Sequence, residues 1–223
     1  MKRFIMLFFI SILLVGCSTQ NSSNESHAQE DRQDKDNIDE KIGISDKQKY
    51  VNNPQASDDR NLKEVGDTSE DENGELSLKA IKAVEENMEI GPMQLTVEDV
   101  KVLNYFPSPD LIDFFHAYSH NEMNFNYIKF RVSVENTADE QVNFAPVSVL
   151  ETDQGEKKDF KDDFYLENLY GDYDPGEERI GDLGFVIDET KPKELEFITI
   201  TTSDVFAGNG TTIADGRKIT IEF

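Results

Sequence analysis

The sequence predicts an all-β protein, an antiparallel β-sandwich, from two observations on the part of the chain that follows residue 75. Apolar and polar residues alternate there over short runs, which is the period of a half-buried strand. Short segments rich in Gly, Pro, Asn and Asp separate the runs, and these residues favour turns. Short strands at this spacing are typical of a sandwich.

The N-terminus predicts an export signal. Lys2 and Arg3 precede the apolar run Phe4–Val15, and the small residue Gly16 follows it. A helix needs about 20 apolar residues to span a bilayer, so this run is too short for a permanent span. We expect residues 1–16 to be a cleaved signal peptide.

Cys17 is the only cysteine, and it stands at the end of this signal. The residues Leu14, Val15, Gly16 and Cys17 resemble the lipobox of bacterial lipoproteins. The resemblance implies cleavage before Cys17 and a diacylglyceryl group on its thiol, and two acyl chains suffice for stable anchoring. The implied location is the cell membrane, lipid-anchored and facing the extracytoplasmic side. The alternative is an ordinary secretory leader that happens to contain a cysteine.

The next segment predicts a spacer. Residues 18–75 contain 16 acidic and 7 basic residues and a single aromatic residue, Tyr50. Such a composition does not bury enough apolar surface to offset the entropy of ordering. We therefore predict three parts: the signal peptide (1–16), lipidated Cys17 with a disordered acidic linker (17–75), and one folded domain (76–223). The alternative for the stretch "KYVNNPQ" is a short partner-binding motif.

The net charge of −24 restricts the partners. An acidic chain repels nucleic-acid phosphates and anionic membrane surfaces, so we expect no nucleic acid and contact with the membrane only through the lipid. A protein or another cell-envelope component remains as a partner.

The strands follow from alternation. In "YIKFRVSVEN" every second residue from Ile128 to Val134 is apolar, which predicts the clearest strand of the chain. In "MQLTVEDVKVL" the apolar parity changes after Val97, which predicts a β-bulge near Glu98 and Asp99. Further strands are predicted at Val142 and Phe144, Ile180–Ile187, Leu195–Ile200, and Ile219–Phe223.

The stretches "IGPMQLTVEDVKV", "FNYIKFRVSVENTADEQVNF", "LETDQGEKKDF" and "YGDYDPGEERIGDLGFVID" resemble, in this order, a telokin-like, immunoglobulin-fold domain of unknown function found in bacterial lipoproteins. The resemblance implies an immunoglobulin-like sandwich. It also implies structural roles: a tight turn at Pro175 and Gly176, close backbone approach at Gly184, and core positions at Val134, Phe185 and Ile187.

A long insertion, "FPSPDLIDFFHAYSHNEMN", departs from that family pattern. Ser108 and Pro109 predict the start of a short helix. On such a helix Asp113, His116 and His120 would share one face, and with Glu122 they would suit Zn²⁺ or another divalent cation. The alternative is that these residues are solvated positions on an amphipathic helix packed against the sandwich.

A second candidate metal site is an acidic group suited to Ca²⁺ if two loops meet. The alternative is a solvated acidic rim. The group comprises Asp159, Asp162, Asp163, Asp172, Asp174 and Glu177.

The sequence contains no nucleophilic triad order, phosphate-binding loop or dinucleotide fingerprint. We therefore predict a non-enzymatic, lipid-anchored binding or interaction module without a cofactor other than the lipid. The alternative is a metal-binding protein or metal-dependent enzyme that uses His116 and His120. The solute-binding component of a transporter is disfavoured, because one domain of this size lacks a second lobe to close over a ligand.

Overall fold

We describe the fold from a computed structural model, which describes residues 52–223. The predicted signal peptide, Cys17 and the linker up to Val51 lie outside the described residues. The described part contains thirteen strands, the α-helix α1 and three short 3-10 helices. The strands are β1 (Thr68–Asp71), β2 (Gly74–Ile90), β3 (Met93–Pro107), β4 (Phe125–Asn136), β5 (Val142–Phe144), β6 (Val149–Thr152), β7 (Lys157–Asp159), β8 (Gly171–Tyr173), β9 (Glu178–Ile187), β10 (Phe197–Thr201), β11 (Val205–Ala207), β12 (Thr212–Ala214) and β13 (Lys218–Glu222). The helices are α1 (Ile112–Phe115) and the 3-10 turns Pro109–Leu111, Phe160–Asp162 and Pro192–Glu194.

The strands form three antiparallel sheets that pack as a sandwich. A five-stranded sheet has the order β1-β2-β3-β4-β9, and two four-stranded sheets have the orders β13-β10-β6-β7 and β12-β11-β5-β8. The prediction of an all-β antiparallel sandwich is confirmed.

The inner face of the five-stranded sheet contacts the two smaller sheets through a large apolar core. Ile128, Phe130 and Val132 on β4 and Phe185 on β9 are fully buried there, as alternation predicts. The predicted bulge is confirmed: Val97 pairs with Val132 and Asp99 pairs with Arg131, which leaves Glu98 as the extra residue.

The turn and close-packing roles implied by the family resemblance also hold. Gly176 has φ +70, a conformation that follows Pro175 in the turn before β9. A Cβ at Gly184 would collide with the ring of Tyr165, so only glycine lets this ring approach the strand.

The outer face of the five-stranded sheet carries a second apolar cluster. Tyr105 on β3 and Tyr127 on β4 project from this face, on the opposite parity to the inner core. Phe115 of α1 and Phe164 of the loop after β7 cover them, with ring centroids 5.7 Å apart for Tyr105–Phe115 and 5.1 Å apart for Tyr127–Phe164. Both faces of this sheet are therefore buried at this end.

Residues 52–65, which we call the strap, require a correction of the predicted domain boundary. We predicted a disordered linker up to Glu75, but Ala56 and Leu62 are buried in the outer cluster. Asn53 is also buried, and its amide nitrogen donates to the carbonyl oxygen of Tyr165 at 2.9 Å. The polar composition of residues 18–75 does not predict this docking. Only a few apolar residues take part, and the other contacts are specific hydrogen bonds and ion pairs that composition does not indicate. For the stretch "KYVNNPQ" the alternative was a short partner-binding motif. Its described part contacts this domain through Asn53.

β2 is the longest strand, and the sequence analysis did not identify it. Its pairing with β3 is irregular between Leu78 and Ala80 and again between Ala83 and Glu86. The first irregularity changes which parity faces the inner core, because Leu76 and Leu78 belong to the outer cluster whereas Ala80 and Met88 pack against the inner core. A single period of two therefore does not run through the whole strand.

The insertion forms a shorter helix than predicted. The 3-10 turn begins after Ser108, whose side chain makes no capping hydrogen bond, and α1 ends at Phe115. Within residues 52–223 no helix is long and apolar enough to cross a membrane.

Candidate functional site

Asp59 of the strap forms the centre of a buried ionic cluster on the outer face of the five-stranded sheet. Its carboxylate lies 2.7 Å from Nζ of Lys101 on β3 and 2.5 Å from Nζ of Lys129 on β4. All three side chains are at most 5% exposed. Lys101 also donates to the Asp59 carbonyl oxygen at 2.8 Å, so both the backbone and the side chain of the strap are held.

The cluster continues across the sheet to β9. Lys129 Nζ lies 3.1 Å from Asp182, and Arg131 contacts the same carboxylate at 3.4 Å. Arg131 also lies 3.8 Å from Glu98, the residue at the bulge. The sheet register places Lys101 opposite Lys129 and Arg131 opposite Asp182, so neighbouring strands bring like and unlike charges side by side. We call these six residues the clasp: Asp59, Glu98, Lys101, Lys129, Arg131 and Asp182.

The electrostatics of the clasp depend on mutual pairing. Burial raises the pKa of Asp59, but the charges of Lys129 and Lys101 oppose this, and the pKa is lowered overall. Burial lowers the pKa of Lys129, but Asp59 and Asp182 outweigh it and the pKa is raised. Both groups are therefore charged at neutral pH. Buried ion pairs are often no more stabilising than apolar residues of equal volume, but removal of one partner leaves a buried charge without its counter-charge.

An open pocket of about 340 Å³ lies beside the clasp. Its walls are the six clasp residues together with Asp99, Arg60 and Lys63. Five of these nine residues are basic, although the chain as a whole has a net charge of −24. We call this space the clasp pocket, and its walls carry both signs of charge close together.

Asp99 differs from the other acidic groups of the pocket. Its Oδ1 is buried and has no hydrogen-bond partner within residues 52–223. Burial raises the pKa of Asp99, and the nearby charge of Lys101 only partly opposes this. A buried acceptor without a donor costs about 1–3 kcal/mol.

The structure separates the two histidines that the sequence placed on one helical face. His116 lies 3.6 Å from Asp113 and 3.2 Å from Glu122. His120 lies 3.0 Å from Asp188 at the end of β9 instead. The common face does not form, because α1 ends before His116. Across residues 52–223 no group of three or more His, Cys, Asp or Glu side chains is arranged to hold a metal ion.

The acidic group proposed for Ca²⁺ is likewise divided among local contacts. Asp159 and Asp162 form a capping box on one 3-10 turn. Asp172 accepts from Asn143, and Glu177 pairs with Arg179 at 2.8 Å.

Asp163 has a separate role beneath the outer cluster. Its Oδ1 accepts from the backbone N–H groups of Gly184 at 2.8 Å and Tyr165 at 3.1 Å. Its Oδ2 is buried without a partner in the described part of the chain. Burial raises the pKa of Asp163 to about 6, although these backbone donors oppose the shift.

The sequence analysis missed the clasp entirely. Lys129 and Arg131 alternate with apolar residues in β4, which is also the pattern of a solvated face. One feature of the sequence does indicate that this face is covered. Leu103, Tyr105 and Tyr127 are large apolar or aromatic residues with the same parity as Lys101 and Lys129.

Comparison with known proteins places the chain in a family. A family model described as "Domain of unknown function (DUF4352)" matches residues 82–210, more than half of the chain. The chain belongs to this family. The match contains Lys101, Lys129 and Asp182 but not the strap, so Asp59 reaches the clasp from outside the matched region.

The chain is also similar to whole proteins. It is 36% identical over 246 aligned residues to "Uncharacterized protein YdhF" of Bacillus subtilis (strain 168), and all of both chains is covered. A solved structure of a functionally unknown protein from Listeria monocytogenes EGD-e matches with a TM-score of 0.45 and 13% identity, covering 67% of this chain and 87% of that chain. The yjhA protein from Bacillus subtilis matches with a TM-score of 0.40 and 12% identity, covering 62% of this chain and 97% of that chain. None of these descriptions indicates an enzymatic family.

Proposed function

We propose that this protein is a lipid-anchored, non-enzymatic binding module on the extracytoplasmic side of the cell membrane. In this proposal a diacylglyceryl group on Cys17 anchors the chain, the residues before the strap act as a spacer, and the domain binds a small charged ligand in the clasp pocket. The leader sequence Leu14–Cys17 supports the anchor.

One observation carries the binding proposal: the clasp pocket is a charged concavity in which polar groups from three strands and the strap converge. Ligand sites in proteins place a few convergent polar groups on rigid elements. Here Asp99 and Lys101 on β3 and Arg131 on β4 are fixed by sheet pairing. The pocket lacks the arrangement of a nucleophile beside a base that acyl or phosphoryl transfer needs, and this favours binding over catalysis.

The test measures thermal unfolding of the lipidated chain, purified in detergent, with a panel of small anions, cations, amino acids and amines. A ligand that prefers the folded state raises the unfolding temperature. We expect at least one compound to raise it in the wild type but not in the double variant Glu98→Gln, Lys63→Gln. The matched control is Glu196→Gln, Lys193→Gln, on exposed residues outside the pocket. Equal shifts in the pocket variant and the wild type, or no shift with any compound, would contradict ligand binding in the pocket.

The anchor has its own test. Cys17→Ala should abolish incorporation of labelled fatty acid, because the thiol is the proposed attachment atom. Equal labelling of the variant and the wild type would exclude a lipid on this residue.

A further inference from the structure

Asp99 lacks a donor because its neighbours are engaged elsewhere. It pairs across the sheet with Arg131, but that guanidinium points to Asp182 and Glu98. Lys101 is the next residue of the same parity on β3, and its ammonium group donates to Asp59. Oδ1 of Asp99 is thus a buried acceptor with no hydrogen bond from the described residues, and the half-buried side chain of Asp99 also lines the pocket.

Lys63 is the complementary case on the strap side of the same pocket. Its side chain is exposed, and within residues 52–223 no carboxylate lies within 4 Å of its ammonium group. Arg60 beside it is already bound to Asp58 at 2.6 Å. The pocket therefore offers one negative group and one positive group that residues 52–223 do not pair.

We infer that the clasp pocket binds a small zwitterion, with the ligand's primary ammonium group donating to Asp99 and its carboxylate contacting Lys63. This inference rests on the proposed function and names the class of ligand for the same pocket.

Charge complementarity favours a zwitterion over an ion of one sign. A simple cation at Asp99 would also lie near Lys101, Lys129 and Arg131 and would be repelled by them, whereas the carboxylate of a zwitterion is attracted by the basic groups of the pocket and offsets this repulsion. A simple anion at Lys63 would leave the carboxylate of Asp99 without a donor and would be repelled by it. A molecule with both charges satisfies both groups, and its net charge of zero adds no repulsion from the acidic domain.

The volume of the pocket limits the length of the ligand. About 340 Å³ is at the lower end of the range of about 300–1,000 Å³ for small-molecule sites, which favours ligands of amino-acid size. The separation of the two charges should therefore decide which zwitterion binds best.

The experiment uses the lipidated full chain and a series of probes with increasing charge separation: glycine, β-alanine and γ-aminobutyrate. Butylamine and butyrate supply each charge of γ-aminobutyrate alone. Binding is measured by calorimetry and by chemical-shift changes of backbone amides around the pocket. We expect one zwitterion to bind at least about tenfold more tightly than either single-charge probe, because it forms two charge-assisted contacts.

The variants separate binding from folding. Asp99→Asn should weaken that zwitterion by about tenfold or more, since the ionic partner of the ammonium group is lost. The matched control Asp110→Asn, at an exposed carboxylate of the insertion, should leave binding unchanged. Lys63→Gln changes an exposed side chain and should also weaken binding, so the inference stays testable if Asp99→Asn fails to fold.

Several outcomes would overturn the inference. Butyrate or butylamine binding as tightly as the best zwitterion would show a pocket for ions of one sign, which refutes the zwitterion but leaves the proposed function standing. Unchanged affinity in Asp99→Asn and Lys63→Gln would place binding elsewhere. If no probe of the series binds, the zwitterion class is wrong, and the broader panel decides separately whether the pocket binds any ligand.

Discussion

The two faces of the five-stranded sheet are both covered, but by different means. The inner face contacts the smaller sheets through aliphatic and aromatic side chains such as Val132 and Phe130. The outer face is covered by the strap, α1 and the loop at Phe164, and it combines an aromatic cluster with the buried charges of the clasp. The inner cover is the sandwich itself, whereas the outer cover consists of the strap, a short helix and a loop, none of which pairs as a strand of the sheet. Polar pairing on the outer face therefore helps to hold in place a segment that no strand pairing fixes.

The largest expected effect comes from removing the outer cover. Deletion of residues 52–65 from the full chain removes Leu62 from the outer cluster and exposes the side chains that pack against it. It also removes Asp59, the counter-charge of Lys101 and Lys129. We expect the free energy of unfolding to fall by more than about 5 kcal/mol, because a core side chain and the counter-charge are lost together. Urea denaturation measures this. A loss under about 1 kcal/mol would mean that the strap is not part of the fold.

The clasp alone is tested by Asp59→Asn. This change leaves two buried ammonium groups without a carboxylate at the strap, and we expect a loss of about 3–5 kcal/mol in the free energy of unfolding. Asp58→Asn is the matched control, because its partner Arg60 is half exposed and surface pairs contribute only about 0–1 kcal/mol. Similar losses for both variants would show that burial of the pair is unimportant.

The buried carboxyl group of Asp163, on the outer face, should make the free energy of unfolding depend on pH. Its pKa is about 6 in the folded state and 3.8 as the ordinary value, so the folded state holds the proton more tightly. The stability from this group is fully present below about pH 4 and is lost as the pH rises to about 6, by roughly 2–3 kcal/mol. Asp163→Asn should remove this part of the pH dependence, measured as the difference from the wild type between pH 4 and pH 7. Parallel pH profiles of the two proteins would contradict the raised pKa.

The smallest effects are expected at the edge of the outer cover. His116→Ala and His120→Ala should each change the free energy of unfolding by less than about 0.5 kcal/mol, because both imidazoles are largely exposed. We also expect equimolar Zn²⁺ to leave the unfolding temperature unchanged, since the two imidazoles have different carboxylate partners. A zinc-dependent rise that both substitutions abolish would instead support the metal-binding alternative.

The inner face was predictable from the sequence, and the outer face was not. Alternation in Ile128–Val134 fixes the parity of β4, and the change of parity after Val97 identifies the bulge. Both follow from residues that are neighbours in the sequence. The contacts of Asp59 with Lys101 and Lys129 join residues 42 and 70 positions apart, and no local pattern indicates them. The average composition of residues 18–75 also concealed a strap that docks through a few specific contacts.

The long-range contacts of the strap have a consequence for the order of folding. Asn53 bonds to Tyr165 and Glu167, which follow it by 112 and 114 residues. A chain that is synthesised from its N-terminus presents the strap before these partners, which follow only after most of the domain has been made. Contacts across such separations form slowly, because the intervening loop must first close. The strap is thus synthesised before the rest of the domain but is among the last parts to dock, and until then Lys101 and Lys129 lie on an uncovered face of the sheet.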